Sequence, residues 1–241
     1  MRLGNERFFD DSLGLIAGRR VGLITNPTGV DSLLRSTADR LHAQPAAELA
    51  ALFGPEHGIR GDAEDGVAVA DGVDRRTGVP AISLYGPTRA LQDSMLDGID
   101  VLLFDMQDVG ARFYTYLYTM SAAMKACAGR GVPFVLLDRP NPVGGEVLEG
   151  NLLDPAFSSF VGRYPVPVRY GLTIGEIATL FNEVHGIGAE LQVVELSGWK
   201  RSMSWEDTGL PWVAPSPNMP TPQTASLYPG TCFFEGTNLS E

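Results

Sequence analysis

Leu52-Phe53-Gly54-Pro55-Glu56-His57-Gly58-Ile59-Arg60-Gly61 decides how the rest of the chain is read. The apolar run from Leu49 to Phe53 has the texture of a buried strand, and Gly54-Pro55 breaks it with a turn signal. An acid, an imidazole and a guanidinium follow within five positions, spaced by two glycines. A strand that runs into such a turn is typical of open α/β sheets, which carry their chemistry at the carboxyl ends of strands. The alternative is a turn shaped by its glycines, with its charges facing water.

Outward from that stretch, strand-like runs alternate with helical ones. Arg20 to Thr25 reads as a strand ending in the turn Asn26-Pro27-Thr28-Gly29. Asp31 or Ser32 is expected to cap a helix carrying Leu33, Leu34 and Leu41, and Phe8 to Leu15 a short helix before it. Further strands are expected at 81–84, at 99–104 running into Asp105, at 132–137 running into Asp138, and at 191–196. Helices are expected at 88–96 and 116–130, and at Thr173, where Glu176 completes a capping box. Residues 62–78, rich in Asp and Gly, read as a loop. The alternation predicts an α/β fold, a mostly parallel sheet with helices on both faces. Proline- and glycine-punctuated excursions occupy about 141–172 and 197–241 of what reads as one domain over 1–241.

Composition narrows the function. Over 241 residues, 44% are hydrophobic and 20% charged, an ordinary globular balance. A net charge of -11 argues against nucleic acid, whose phosphates need basic surface. Cys127 and Cys232 share no metal-binding spacing and require no disulfide. No apolar run is long enough to span a membrane. The polar start, Met1 to Glu6, has no signal-peptide core. The expectation is a cytoplasmic protein, or an extracytoplasmic one whose leader was removed. Nothing in the pattern specifies an oligomer.

Four polar clusters follow strands: Asn26 to Gly29, Glu56-His57, Asp105 to Tyr114, and Asp138 to Asn141. In a parallel sheet they converge on one crevice. The chain lacks the phosphate-binding glycine loops and the nucleophile elbow. Acids, amides, arginines and aromatics suit a hydroxyl-rich small molecule, neutral or anionic, such as a sugar carrying a carboxylate. Glu56 is the candidate general acid/base, or else a turn cap; His57 orients a carboxylate or contacts substrate, or is structural. Asn26, Arg60, Asp105, Gln107, Asp108, Arg112, Tyr114, Asp138, Arg139 and Asn141 are candidate substrate-binding residues. Asp138 and Arg139 could instead pair to shape the Asn141 turn.

The strings LITNPTG at 23–29, LFGPEHGIRGDAEDG at 52–66, SLYG at 83–86, DVLLFDMQDVGARFYTYLYTM at 100–120, LDRPNPVGG at 137–145, EGNLLDPAFSSFVGRYPVPVRYGLTIGE at 149–176, PSPNMPT at 215–221 and EGTNLSE at 235–241 together resemble the NamZ exo-β-N-acetylmuramidase family. That family was formerly a domain of unknown function, typified by YbbC. The resemblance implies a Rossmann-like domain followed by a smaller C-terminal domain, which this chain is expected to lack. It implies release of N-acetylmuramic acid from the non-reducing end of peptidoglycan fragments such as MurNAc-GlcNAc, with no cofactor and no metal. It makes Glu56 the proposed catalytic residue and gives Arg60, Arg112 or Arg139 a lactyl carboxylate to bind. Asp105, Glu149 and Glu235 stay open as the second carboxylate, and Asn218 and Asn238 join the substrate-binding candidates. The other readings are a non-catalytic muropeptide- or sugar-binding domain, and a metal-dependent hydrolase using Asp105, Asp108 and Glu56.

Overall fold

The computed structural model describes residues 1–55, 58–61, 71–85 and 90–238. Seven strands form one sheet: β1 Arg20–Thr25, β2 Glu48–Gly54, β3 Gly72–Val73, β4 Pro80–Ser83, β5 Val101–Asp105, β6 Phe134–Leu137 and β7 Leu191–Val194. Their order across the sheet is β3-β4-β2-β1-β5-β6-β7. Every pairing is parallel except β3 with β4. Setting β3 aside, the chain builds outward from β1 to β4, then returns beside β1 and builds outward from β5 to β7. This is the Rossmann strand order, and its topological switch point lies between β1 and β5.

The central strands β1, β2, β5 and β6 form because their runs bury both faces. Along β5, Val101 and Leu103 point into one core while Leu102 and Phe104 point into the other, the two-residue period of extended chain. One core packs β1, β2, β5 and β6 under α1 (Gly4–Asp11) and α2 (Thr37–His42), through Phe8, Phe9 and Leu41. The other lies under α3 (Tyr116–Arg130), α4 (Ile174–Glu183) and α5 (Pro222–Thr231). Cys127 and Cys232 are free thiols within this second core. Among the described residues no helix is long and apolar enough to cross a membrane.

Several expectations shift. Helix α2 is capped by Ser36, whose hydroxyl accepts the Asp39 N–H, not by Asp31 or Ser32. Asp31 instead closes a turn: its carboxylate accepts the Leu33 and Arg35 N–H groups and pairs with Arg35 and Arg40. That turn sends Leu33 and Leu34 into solvent, so neither belongs to a helical apolar face. Helix α1 starts earlier than expected because Glu6 accepts the Leu3 N–H and fixes its first turn. Part of the expected 62–78 loop is strand β3, and a single 3-10 turn stands at Asp93–Leu96 within the expected 88–96 helix. The expected irregular tail contains α5, which Thr221 caps and Pro222 opens. The capping box at Thr173 and Glu176 forms as read.

Candidate active site

The crevice is built from the exits of β1, β5 and β6. In register, Thr25 at the end of β1 lies beside Asp105 at the end of β5, and the Thr25 hydroxyl donates to the Asp105 carbonyl (2.9 Å). Gly29 sits so close above them that a Cβ there would lie 2.0 Å from Thr25 Oγ1, so only glycine lets this turn fold back over the strand end. The Asn26 side chain organises the same turn. Its Oδ1 accepts from the Thr28 N–H and hydroxyl, and its Nδ2 donates to the Tyr116 phenol (2.8 Å). That phenol in turn donates to the Pro215 carbonyl. The Thr28 hydroxyl accepts the Gln107 N–H (2.8 Å), tying the two turns together.

Asp105 is fully engaged. Its Oδ1 accepts from Arg139 Nε at 2.6 Å, and its Oδ2 from the Thr37 hydroxyl and the Asn5 amide. Both members of the ion pair are almost completely buried. Arg139 also donates to the Val30 carbonyl. Asp105 and Arg139 therefore join β5 to β6, and neither presents a free charge to a ligand. With its oxygens taken this way, Asp105 does not form the metal-binding set with Asp108. Among the described residues no group of three or more His, Cys, Asp or Glu is placed to hold a metal ion.

Asp108, three residues on, is different. It is buried, with no cation against it among the described residues. Its Oδ2 accepts the Gly110 N–H (2.8 Å) and the Tyr170 phenol, and its Oδ1 has no partner. Burial pushes its pKa up to about 7, because a carboxylate without a counter-charge is poorly solvated in the protein interior. The phenols of Tyr114, Tyr118 and Tyr228 lie near enough to interact with its charge. Gly110, at φ +78°, carries the loop past Asn141, whose Oδ1 would be 2.3 Å from a Cβ.

Asp138 caps the start of α4. Its carboxylate accepts from the Gly175 N–H, the Arg139 N–H and the Thr173 hydroxyl. Burial raises its pKa to about 6. The expected Asp138–Arg139 side-chain pair is thus replaced by a helix cap and by the Arg139–Asp105 pair. Asn141 bridges the Leu172 carbonyl and the Val143 N–H. Arg112 donates to the Asn151 and Val166 carbonyls, holding the 141–172 excursion against β5, and burial lowers its pKa. The Tyr114 ring stands edge-to-face against Tyr116 and Tyr228.

Other candidates lie elsewhere. Glu56 and His57 lie outside the described residues. Beside them the Gly58 N–H donates to the Pro55 carbonyl (3.0 Å), and Arg60 grips Asp74 through two bonds of 2.9 Å and Asp39 through one of 2.7 Å. Those carboxylates hold Arg60 firmly protonated, and Arg60 holds Asp74 well below the usual carboxylate range. Its guanidinium is committed to the protein. Glu149 pairs with Arg169 on the surface. Glu235 is exposed and hydrogen-bonds the Tyr228 phenol. Asn218 and Asn238 lie on exposed turns.

Sequence reasoning missed Tyr116, Tyr170 and Trp205. Tyr116 opens the 116–130 helix directly after the Asp105 cluster, a signal that was available. Trp205 lies in the irregular 197–221 stretch, where no period marks it.

Residues 21–223 match the family model for the N-terminal part of the exo-β-N-acetylmuramidase NamZ. All 241 residues are similar, at 52% identity, to the peptidoglycan β-N-acetylmuramidase NamZ of Bacillus subtilis (strain 168), covering 58% of that protein. A crystal structure of a DUF1343 family protein from Bacteroides fragilis superposes with a TM-score of 0.91 at 45% identity, over 97% of this chain and 59% of that one. A second from the same organism gives 0.83 at 32% identity, over 98% and 62%. The chain thus spans less than two thirds of the length of these relatives.

Proposed function

The chain belongs to the family of the NamZ exo-β-N-acetylmuramidase N-terminal domain, and from that premise we propose that it is the catalytic part of an exo-acting glycoside hydrolase. Its substrate is a saccharide with N-acetylmuramic acid at the non-reducing end, such as MurNAc-GlcNAc or a muropeptide. The observation that carries this reading is the 52% identity to the Bacillus subtilis muramidase over the whole chain. The switch-point crevice supports it, since that is where open α/β sheets bind small ligands.

In this reading Glu56 protonates the glycosidic oxygen or activates water, and His57 assists it. Asp105, Arg139, Asp138 and Asn141 are positioning residues, because their side chains are spent on one another and on backbone. Arg60 is likewise a positioning residue, holding the turn that follows Glu56-His57. Asp108 and Asp138 are the buried carboxyls among the described crevice residues without a cation paired to them; Asp138 is spent on the cap of α4, whereas Asp108 keeps an unpartnered Oδ1, which makes Asp108 the leading candidate for a second carboxyl group.

The test is release of p-nitrophenol from para-nitrophenyl MurNAc by the protein. Steady release that survives EDTA supports the metal-independent hydrolase. Binding of MurNAc without release overturns it in favour of a sugar-binding domain, and loss of release with EDTA favours a metal-dependent enzyme.

A further inference from the structure

One small cavity lies directly against the switch point. Gln107 from the β5 exit and Trp205 from the 197–221 excursion form its polar wall, and Leu3, Val30, Leu210 and Val213 supply apolar surface. It is about 20 Å³ measured to the centre of a water-sized sphere, room for a group of a few heavy atoms and not for a sugar ring. Gln107 and Trp205 are 3% and 6% exposed. Each carries one buried polar atom without a partner, the Gln107 Oε1 acceptor and the Trp205 Nε1 donor.

Buried orphans of this kind are uncommon, because each costs the hydration of a polar group. Neither side chain is free to turn and satisfy itself. The Gln107 amide nitrogen is fixed by the Asp108 and Pro140 carbonyls, both at 2.8 Å, which leaves its oxygen as a pure acceptor. The Trp205 ring is packed edge-to-face on Trp212, with centroids 4.9 Å apart, and an indole nitrogen can only donate. The other polar wall residues already have partners: Thr28 bonds Asn26 and Gln107, Asp31 pairs with Arg35 and Arg40, and Arg139 pairs with Asp105.

A fixed acceptor, a fixed donor and an apolar lining in a space of a few atoms complement one functional group well: a secondary amide with a small alkyl end. We propose that this cavity seats the acetamido group of an N-acetylated amino sugar. The Gln107 carboxamide oxygen accepts the amide N–H, the Trp205 indole N–H donates to the amide carbonyl, and the methyl group lies against Leu3, Val30 and Leu210. The inference rests on the saccharide reading above, and it assigns specificity for the N-acetyl group to two residues outside the Glu56 turn.

The test reads binding, so that it stands apart from hydrolysis. The protein is titrated calorimetrically with N-acetylmuramic acid and with 3-O-lactylglucose, which carries a hydroxyl in place of the acetamido group. The wild-type protein is expected to prefer the acetamido sugar by about tenfold or more, the worth of a buried hydrogen-bonded pair. Trp205→Phe keeps the ring and removes only the donor. It is expected to shrink the preference to within about threefold while leaving the melting temperature unchanged or higher, because the free protein loses an orphan. Should Trp205→Phe fail to fold, Leu210→Phe fills the cavity from a half-buried position and is expected to abolish the preference. Equal affinities in the wild type, as for a cavity that holds only water, or an undiminished preference in the folded variant, overturn the inference. A protein that releases p-nitrophenol yet shows no acetamido preference sinks the inference alone. One that shows the preference without hydrolysis sinks the hydrolase reading alone.

Discussion

Asp105 and Asp108 stand three residues apart on the same strand exit, both buried, in opposite surroundings. Asp105 faces the Arg139 guanidinium and two further donors. Asp108 faces backbone N–H groups and a ring of phenols, with no cation among the described residues and one oxygen unpartnered. A buried carboxylate with a matched cation is an architectural part: it welds β5 to β6, and removing either partner strands a charge. A buried carboxyl without one keeps its proton to higher pH and remains chemically uncommitted. Proximity to the crevice therefore does not make a residue a ligand for substrate; what its neighbours have already claimed decides.

Arg139→Met should give the largest effect, about 3–5 kcal/mol of destabilisation, because it leaves Asp105 charged and buried. Chemical denaturation measures it, and the double variant Arg139→Met/Asp105→Asn should lose less than the sum of the singles. A fully additive result would mean that the pair does not work as a unit.

Asp108→Asn tests the other side of the comparison. The folded-state pKa of Asp108 is raised to about 7 by burial, so the folded state holds a proton that the unfolded chain gives up above about pH 4. Its contribution is complete below that pH and is lost as pH rises toward 7 and beyond. Asparagine mimics the protonated form, so the variant should gain on the order of 4 kcal/mol relative to wild type between pH 4 and 8. Parallel stability–pH curves for the two proteins would contradict the uncommitted carboxyl.

Arg60→Ala should cost about 2 kcal/mol at neutral pH by leaving Asp74 buried and unpaired. The cost shrinks in acid. Asp74, held well below the usual range by Arg60, contributes stability above its unfolded pKa and loses it as pH falls, so the gap between variant and wild type should close toward low pH. Because Arg60 anchors the turn after Glu56-His57, kcat should fall more than KM changes. A rise in KM alone would return Arg60 to the substrate.

Glu149→Gln should give the smallest effect. Its pair with Arg169 is solvent-exposed, and such pairs contribute about 0–1 kcal/mol. Activity within about twofold of wild type, on the p-nitrophenyl substrate, is the expected result; a hundredfold loss would make Glu149 the second carboxylate.

The central strands were legible because each is a short run largely buried on both faces, as at Val101 to Phe104, and the strand ends therefore marked the crevice. Which strand end each charge serves was not legible. Arg139 meets Asp105 across 34 positions and Arg60 meets Asp74 across 14, contacts that only the folded sheet creates. Asp31 was misread as a helix cap for the same reason, since its partners Arg35 and Arg40 turn it into the lock of a bend. Helix α5 was hidden by the prolines around it, although Thr221-Pro222 is a sound helix start. Trp205 carried no periodic signal; its orphan indole nitrogen appears only once the 197–221 segment is laid over Gln107.

The most direct test follows MurNAc released from MurNAc-GlcNAc by the protein and by its Glu56→Gln variant. The account predicts release by the wild type and a loss of about 10²–10⁴-fold in the variant, with MurNAc still bound and the fold unchanged. A Glu56→Gln protein that turns over at the wild-type rate would contradict it.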